Sequence, residues 1–228
     1  SQSVNYTLDI SSYSHGDPLD LHSSPARPSS DPDGITRNGA ITAPTNAETG
    51  ATVQYRVKKD AGSFGAWGAT YTPPVTDGSA DGAYVVEVRQ TDKAGNVSAS
   101  QSVNFTLDTT APATTVSAIA LSADTGESAT DLITQTAAQT ITATLSGALA
   151  AGEALYGSLD NGASWTQISN MVSGTAVSWT GVTLSGSSSI QLAVRDAAGN
   201  TAAAATQAYV LDTTAPATTV SAIALSAD

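Results

Sequence analysis

Leu107-Asp108-Thr109-Thr110-Ala111-Pro112-Ala113-Thr114-Thr115-Val116-Ser117-Ala118-Ile119-Ala120-Leu121-Ser122-Ala123-Asp124 decides how this chain is read, because it occurs twice. The same letters run from Leu211 to Asp228, so that Asp108 and Asp212 stand 104 residues apart. The approach to the stretch is duplicated as well. Ser1-Gln2-Ser3-Val4-Asn5-Tyr6-Thr7-Leu8-Asp9 matches Ser100–Asp108 with one change, Tyr6 against Phe105. Internal repetition fixes an architecture before any local reading does. Here it predicts residues 1–9 as the last strand of a preceding repeat, a first domain over 10–108 and a second over 109–212. Residues 213–228 then read as the first strand of a following repeat, and the chain as a window on a longer array.

A repeat of this length is long enough to bury its own core, and too long for a solenoid unit of about 20–50 residues. The composition excludes several classes of function. Eight Lys and Arg face 20 Asp and Glu, a net charge of −12. After Asp108, Arg195 is the sole basic residue against eight carboxylates. Such a chain repels nucleic acid, whose binding rests on cations meeting phosphates, and anionic membranes too. No run approaches the roughly 20 apolar residues of a membrane span. With no Cys there are neither disulfides nor thiolate sites.

Helix signals are nearly absent, and β-branched residues alternate with small polar ones. In the second unit strands are expected at 114–121, 140–145, 154–159, 164–168, 176–179, 190–194 and 208–211. Asp160-Asn161-Gly162 and Ala198-Gly199-Asn200 are turn signals between them, since Asn and Gly tolerate positive φ. About seven short strands so punctuated predict an all-β fold: two tandem immunoglobulin-like β-sandwiches without a disulfide. Trp165, Trp179 and Tyr156 are expected to give bulk to an Ala/Val/Ile core. The first unit follows the same plan. Strands are expected at 51–58 and 83–90, with Tyr84, Val86 and Val88 on one face and Trp67 standing in for Trp165. Its polar stretch 11–30, with Pro18, Pro25 and Pro28, reads as a surface loop.

In a seven-stranded sandwich, loops alternate between the two ends. That places Glu153 and Asp196 at the end where the chain enters the second unit, beside linker Asp108, and brings Asp31 and Asp33 of the first unit's long loop to the same junction. Clustered carboxylates repel one another unless neutralised, and the cations are too few. Ca²⁺, which takes about 6–8 oxygens, suits such a seam. The same logic gives an N-terminal half-site of Asp9, Glu48 and Asp92, and a C-terminal one of Asp124, Asp131 and Asp212. Two blander readings stay open. Scattered acids keep a surface soluble, and Asp92 and Asp196, each opening an Asp-x-Ala-Gly-Asn run, can simply cap their turns.

The Asp-x-Ala-Gly-Asn turns, the Leu-Asp-Thr-Thr-Ala-Pro linker and Ser158-Leu159-Asp160-Asn161-Gly162-Ala163-Ser164-Trp165 resemble the bacterial Ig-like repeats of giant surface adhesins of the RTX and biofilm-associated type. The resemblance covers essentially the whole chain, and the 11–30 loop departs from its pattern. It implies a non-catalytic extender on the bacterial cell surface, with Ca²⁺ stiffening the junctions, neighbouring repeats as partners and export by a type I system. Pro112 and Pro216 restrict the linkers without fixing an interdomain angle.

Enzyme chemistry finds no support: there is no Cys, no framed Ser-His-Asp set and no phosphate-binding Gly loop. His15 and His22 share the 11–30 loop with Asp17 and Asp20, a weak signal for a transition metal. The stronger rival is a ligand-binding module for glycan or protein, in an adhesin or attached to a secreted hydrolase, if Trp67, Tyr71 and Tyr13 form an exposed stacking patch. The receptor is not written in the sequence.

Overall fold

The computed structural model describes residues 33–221. The expectations for residues 1–9, for the 11–30 loop with its histidines and Tyr13, for Asp9 and Asp31, and for the end of the 213–228 strand lie outside the described residues. Contacts divide the chain into two compact units. The first takes the chain up to Thr115 with Leu149–Leu155 and Ala193–Ala203; the second takes Val116–Ala148, Tyr156–Leu192 and the chain from Ala204.

The first unit is built on one four-stranded sheet. Its strands are β1 (Ile35–Thr36), β2 (Thr52–Lys59), β3 (Gly82–Thr91) and β4 (Gln101–Leu107), in the order β1-β4-β3-β2. Valine alternation along β3 turns Tyr84, Val86 and Val88 inward, as expected, and Leu107 of β4 joins them. Tyr84 stacks on Phe105, with ring centroids 5.2 Å apart. Loop segments take part in covering this face. Gly39 comes so close that a Cβ there would lie 2.7 Å from Pro74 Cδ and 3.2 Å from Phe105. The Tyr71 hydroxyl donates to the Gly39 carbonyl, and burial, with Tyr84 nearby, pushes its pKa up to about 12.

Beyond the linker run β5 (Val116–Leu121), β6 (Ile133–Thr134), β7 (Ala138–Leu145), β8 (Ala154–Ser158), β9 (Thr166–Gln167), β10 (Val172–Ser173), β11 (Ala176–Thr183), β12 (Ser188–Arg195) and β13 (Ala205–Leu211). They form two sheets, ordered β10-β11-β7-β5 and β6-β13-β12-β8-β9. Ile141 and Leu145 from one and Ile190, Leu192 and Tyr209 from the other are buried. Trp179 of β11 lies against Gly157 of β8, where a Cβ would fall inside the ring's van der Waals envelope. The strand order β6-β13-β12-β8 repeats β1-β4-β3-β2 of the first unit. Among the described residues the helical element is one 3₁₀ turn, Ser169–Met171, and no helix is long and apolar enough to cross a membrane. The described residues are all-β, with immunoglobulin-like sandwich architecture.

Two expected core residues are elsewhere. Tyr156 is half-buried, because the two-residue period of β8 turns Leu155, not its neighbour, fully inward. Trp67 is half-buried too, on the outer face of the β2–β3 pair with arginines over its ring. Trp165 is buried, its indole N–H donating to the Gly162 carbonyl at 2.9 Å. Trp67 sits beside Gly68, which bridges Tyr55 across the loop after β2.

Candidate functional site

The linker and the loops that grip it are the most specific constellation in the first unit. Its lowest layer is the Asp-x-Ala-Gly-Asn turn. Asp196 Oδ1 accepts from the Asn200 backbone N–H at 2.8 Å and Oδ2 from Asn200 Nδ2 at 2.9 Å. Asp92 and Asn96 repeat both bonds at 2.7 Å. Gly95 and Gly199 close the two turns at φ +92° and +85°, a region that favours glycine. Both aspartates therefore cap their turns. The Asp92 carboxyl lies below the usual carboxylate range, chiefly through the Asn96 side chain.

The second turn does more. Asn200, almost fully buried, also donates through Nδ2 to the Asp108 carbonyl at 2.8 Å, and Arg37 Nη1 donates to Gly199 O at 3.1 Å. Glu153 Oε2 accepts from Thr114 Oγ1 at 2.8 Å and from Ala150 N at 2.9 Å, tying the far end of the linker to the 149–155 loop. Asp81 holds its start. Oδ1 accepts from Thr109 N and Oγ1 at 2.9 and 2.7 Å, and Oδ2 from Thr110 Oγ1 at 2.7 Å. Burial pushes the Asp81 carboxyl up, but the hydrogen bonds from Thr110 and Thr109 outweigh it and leave the pKa below the ordinary value. Sequence reasoning missed Asp81 and Arg37; the only trace of Asp81 is its place before a β-strand glycine, where the second unit has Ser185.

Asp108 titrates in the opposite sense. Burial raises its pKa first; the Thr110 N–H at 3.2 Å opposes, and the charges of Asp196 and Asp81 push it up again. Two carboxylates, Asp108 and Asp196, thus stand near enough to repel, and their oxygens are of the hard type that suits Ca²⁺. Among the described residues no group of three His, Asp or Glu comes together to hold a metal ion. Asp33 is occupied locally: its Oδ1 accepts from Ile35 N at 2.9 Å. At the N-terminal half-site Asp92 caps its turn, and the Glu48 backbone N–H donates to Gln90 Oε1.

The C-terminal half-site lies in the second unit. Asp131 Oδ1 accepts from Ile133 N at 3.0 Å, repeating Asp33. Asp124 Oδ2 accepts from Leu132 N at 2.9 Å, while its Oδ1 is buried without a hydrogen bond among the described residues. Asp212 Oδ1 accepts from Thr214 N at 2.9 Å, the bond that Asp108 makes to Thr110.

No protein of curated function matches this chain. One family does: residues 21–109, which contain the described sheet of the first unit, are similar to the bacterial Ig-like domain.

Proposed function

We propose that this chain is a non-catalytic spacer segment of an extracellular bacterial surface protein, an extender of the adhesin type, in which Ca²⁺ is held at the carboxylates around the linker. The observation that carries the reading is the linker itself. A tether meant only to join two domains needs no fixed contacts, whereas Asp108–Thr114 is bonded to Asp81, Asn200 and Glu153 within a few residues of one another. The match of residues 21–109 to a bacterial Ig-like domain supports a surface module, and the net charge of −12 suits a protein displayed at high density.

In this reading the cation relieves the repulsion between Asp108 and Asp196, with Glu153, Asp33 and Asp31 as the remaining carboxylates to be recruited. The test is a calorimetric Ca²⁺ titration of the metal-stripped chain, paired with hydrogen exchange of Thr109–Thr115. Heat of binding together with slower linker exchange is expected, and both should weaken in Asp108→Asn and Asp196→Asn. Absence of heat at millimolar Ca²⁺ removes the metal from the reading. Fast linker exchange with or without the ion removes the spacer.

A further inference from the structure

The outer face of the β2–β3 pair is cationic in a chain that is otherwise acidic. Strand register puts Gln54 opposite Arg89, Arg56 opposite Glu87 and Lys58 opposite Val85, all on the side away from Tyr84, Val86 and Val88. The loop after β2 lays two aromatic rings over these side chains. The Arg56 guanidinium carbon sits 4.4 Å from the Phe64 ring centroid and 4.6 Å from that of Trp67. Arg89 lies 4.1 Å from the Trp67 centroid, and Lys58 Nζ 5.2 Å from that of Phe64. Stacking of this kind orients a guanidinium before any ligand arrives.

These cations differ in what remains free. Glu87 neutralises Arg56, whose Nε donates to it at 2.7 Å. Lys59 lies 4.0 Å from the Asp60 carboxylate. Arg89 gives Nε to Gln54 Oε1 at 3.1 Å, and its two terminal nitrogens meet no acceptor among the described residues. Lys58 has its ring contact and no carboxylate partner among the described residues. Lys58 and Arg89 thus stand on strand positions four residues apart, a backbone spacing of about 14 Å at about 3.4 Å per residue. A linear chain with spaced charges suits two cations on separate positions better than one small anion does.

We propose that this face binds a linear polysaccharide carrying ionised carboxylates on its sugar rings. Besides half-buried Val85, the neighbouring β4 positions on this face are hydroxyl and amide: Ser102 pairs with Glu87 and Asn104 with Val85, and both are exposed. That suits polar glycan chemistry and lacks the buried apolar anchor a protein interface needs. Duplex nucleic acid, with a charge about every 1.7 Å, presents too dense a charge for a chain of net −12. The second unit has no counterpart, because it holds no Lys or Arg, Arg195 belonging to the first.

The experiment passes the full chain over immobilised polygalacturonate, neutral dextran and poly-glutamate at low ionic strength in EDTA. The chelator removes any bridging cation, so the result does not depend on the Ca²⁺ reading. Binding to polygalacturonate and not to dextran is expected, weakening with added salt. Lys58→Gln and Arg89→Gln should each lower affinity about threefold and the double variant about tenfold, with cooperative unfolding retained. Lys58→Arg, which keeps the charge, should bind as the parent does. Equal binding by the double variant, equal binding to dextran, or tighter binding to poly-glutamate would each overturn the assignment, the last in favour of an acidic protein.

Discussion

Single side chains decide the acid behaviour of this molecule. Asp160 accepts from the Ser164 hydroxyl, the Ser164 N–H at 2.8 Å and the Ser158 hydroxyl at 2.7 Å, and these donors, Ser164 first, bring its pKa down to about 2. A carboxyl whose folded pKa is depressed contributes stability above its unfolded value and loses it as pH falls through the folded one. Asp160→Ala should lower stability by about 1 kcal/mol at neutral pH, given the group's exposure. The gap between variant and parent should close between about pH 4 and pH 2 in denaturant titrations. Asp108 has the opposite sign. With its folded pKa raised, stability falls as pH rises through that value, so the ionised form weighs on the fold at neutral pH. Asp108→Asn is expected to raise the melting temperature at pH 7 in the absence of metal. Asn200→Ala, which strips the linker carbonyl of its donor, should cost about 1–2 kcal/mol by chemical denaturation.

At the scale of the element, two short parallel pairings show how alike the units are beneath different sequences. Asp33-Gly34-Ile35-Thr36 and Asp131-Leu132-Ile133-Thr134 each begin with an aspartate that accepts from the isoleucine N–H, then pair with the last strand. The second residue has positive φ in both, +67° at Gly34 and +59° at Leu132. Leu132 tolerates that strain because its side chain is buried. Removing the burial costs about 2–5 kcal/mol, and glycine alone then recovers about 1 kcal/mol of backbone strain. Leu132→Gly should therefore melt above Leu132→Ala, the reverse of the usual order in a regular strand. Gly157→Ala should destabilise the second unit by about 1–3 kcal/mol, since its methyl meets the Trp179 ring. The strands, and the turns at Asp160-Asn161-Gly162 and Asp196–Asn200, were legible because period-two alternation and Asn-Gly chemistry are local. β6, β10 and the outward placement of Trp67 were not. Two-residue strands carry no period, and the face taken by an aromatic in a loop depends on partners, Arg56 and Arg89, that only the β2–β3 register brings near.

For the molecule as a whole, the duplicated linker teaches that identical letters need not be held alike. Its first copy is clasped by Asp81, whereas 104 residues on stands Ser185, and Thr213 and Thr214 are exposed. The contacts of the linker were half readable for the same reason: position along the chain pointed to Glu153 and to the Asp196–Asn200 turn, and nothing local marked Asp81 as the residue that fastens the linker. The paired backbone bonds of the short parallel strands carry a further consequence. Thr106 N donates to Gly34 O and Asp108 N to Thr36 O; Val210 N donates to Leu132 O and Asp212 N to Thr134 O, all at 2.8–2.9 Å. Each unit is thus fastened to its outgoing strand by two rungs that lie crosswise to that strand. Tension drawn along the outgoing strand loads both rungs at once in shear instead of peeling them singly, and rupture is then governed by the unfolding barrier more than by equilibrium stability. A pull along the outgoing strand would meet a latch first and a hydrophobic core second.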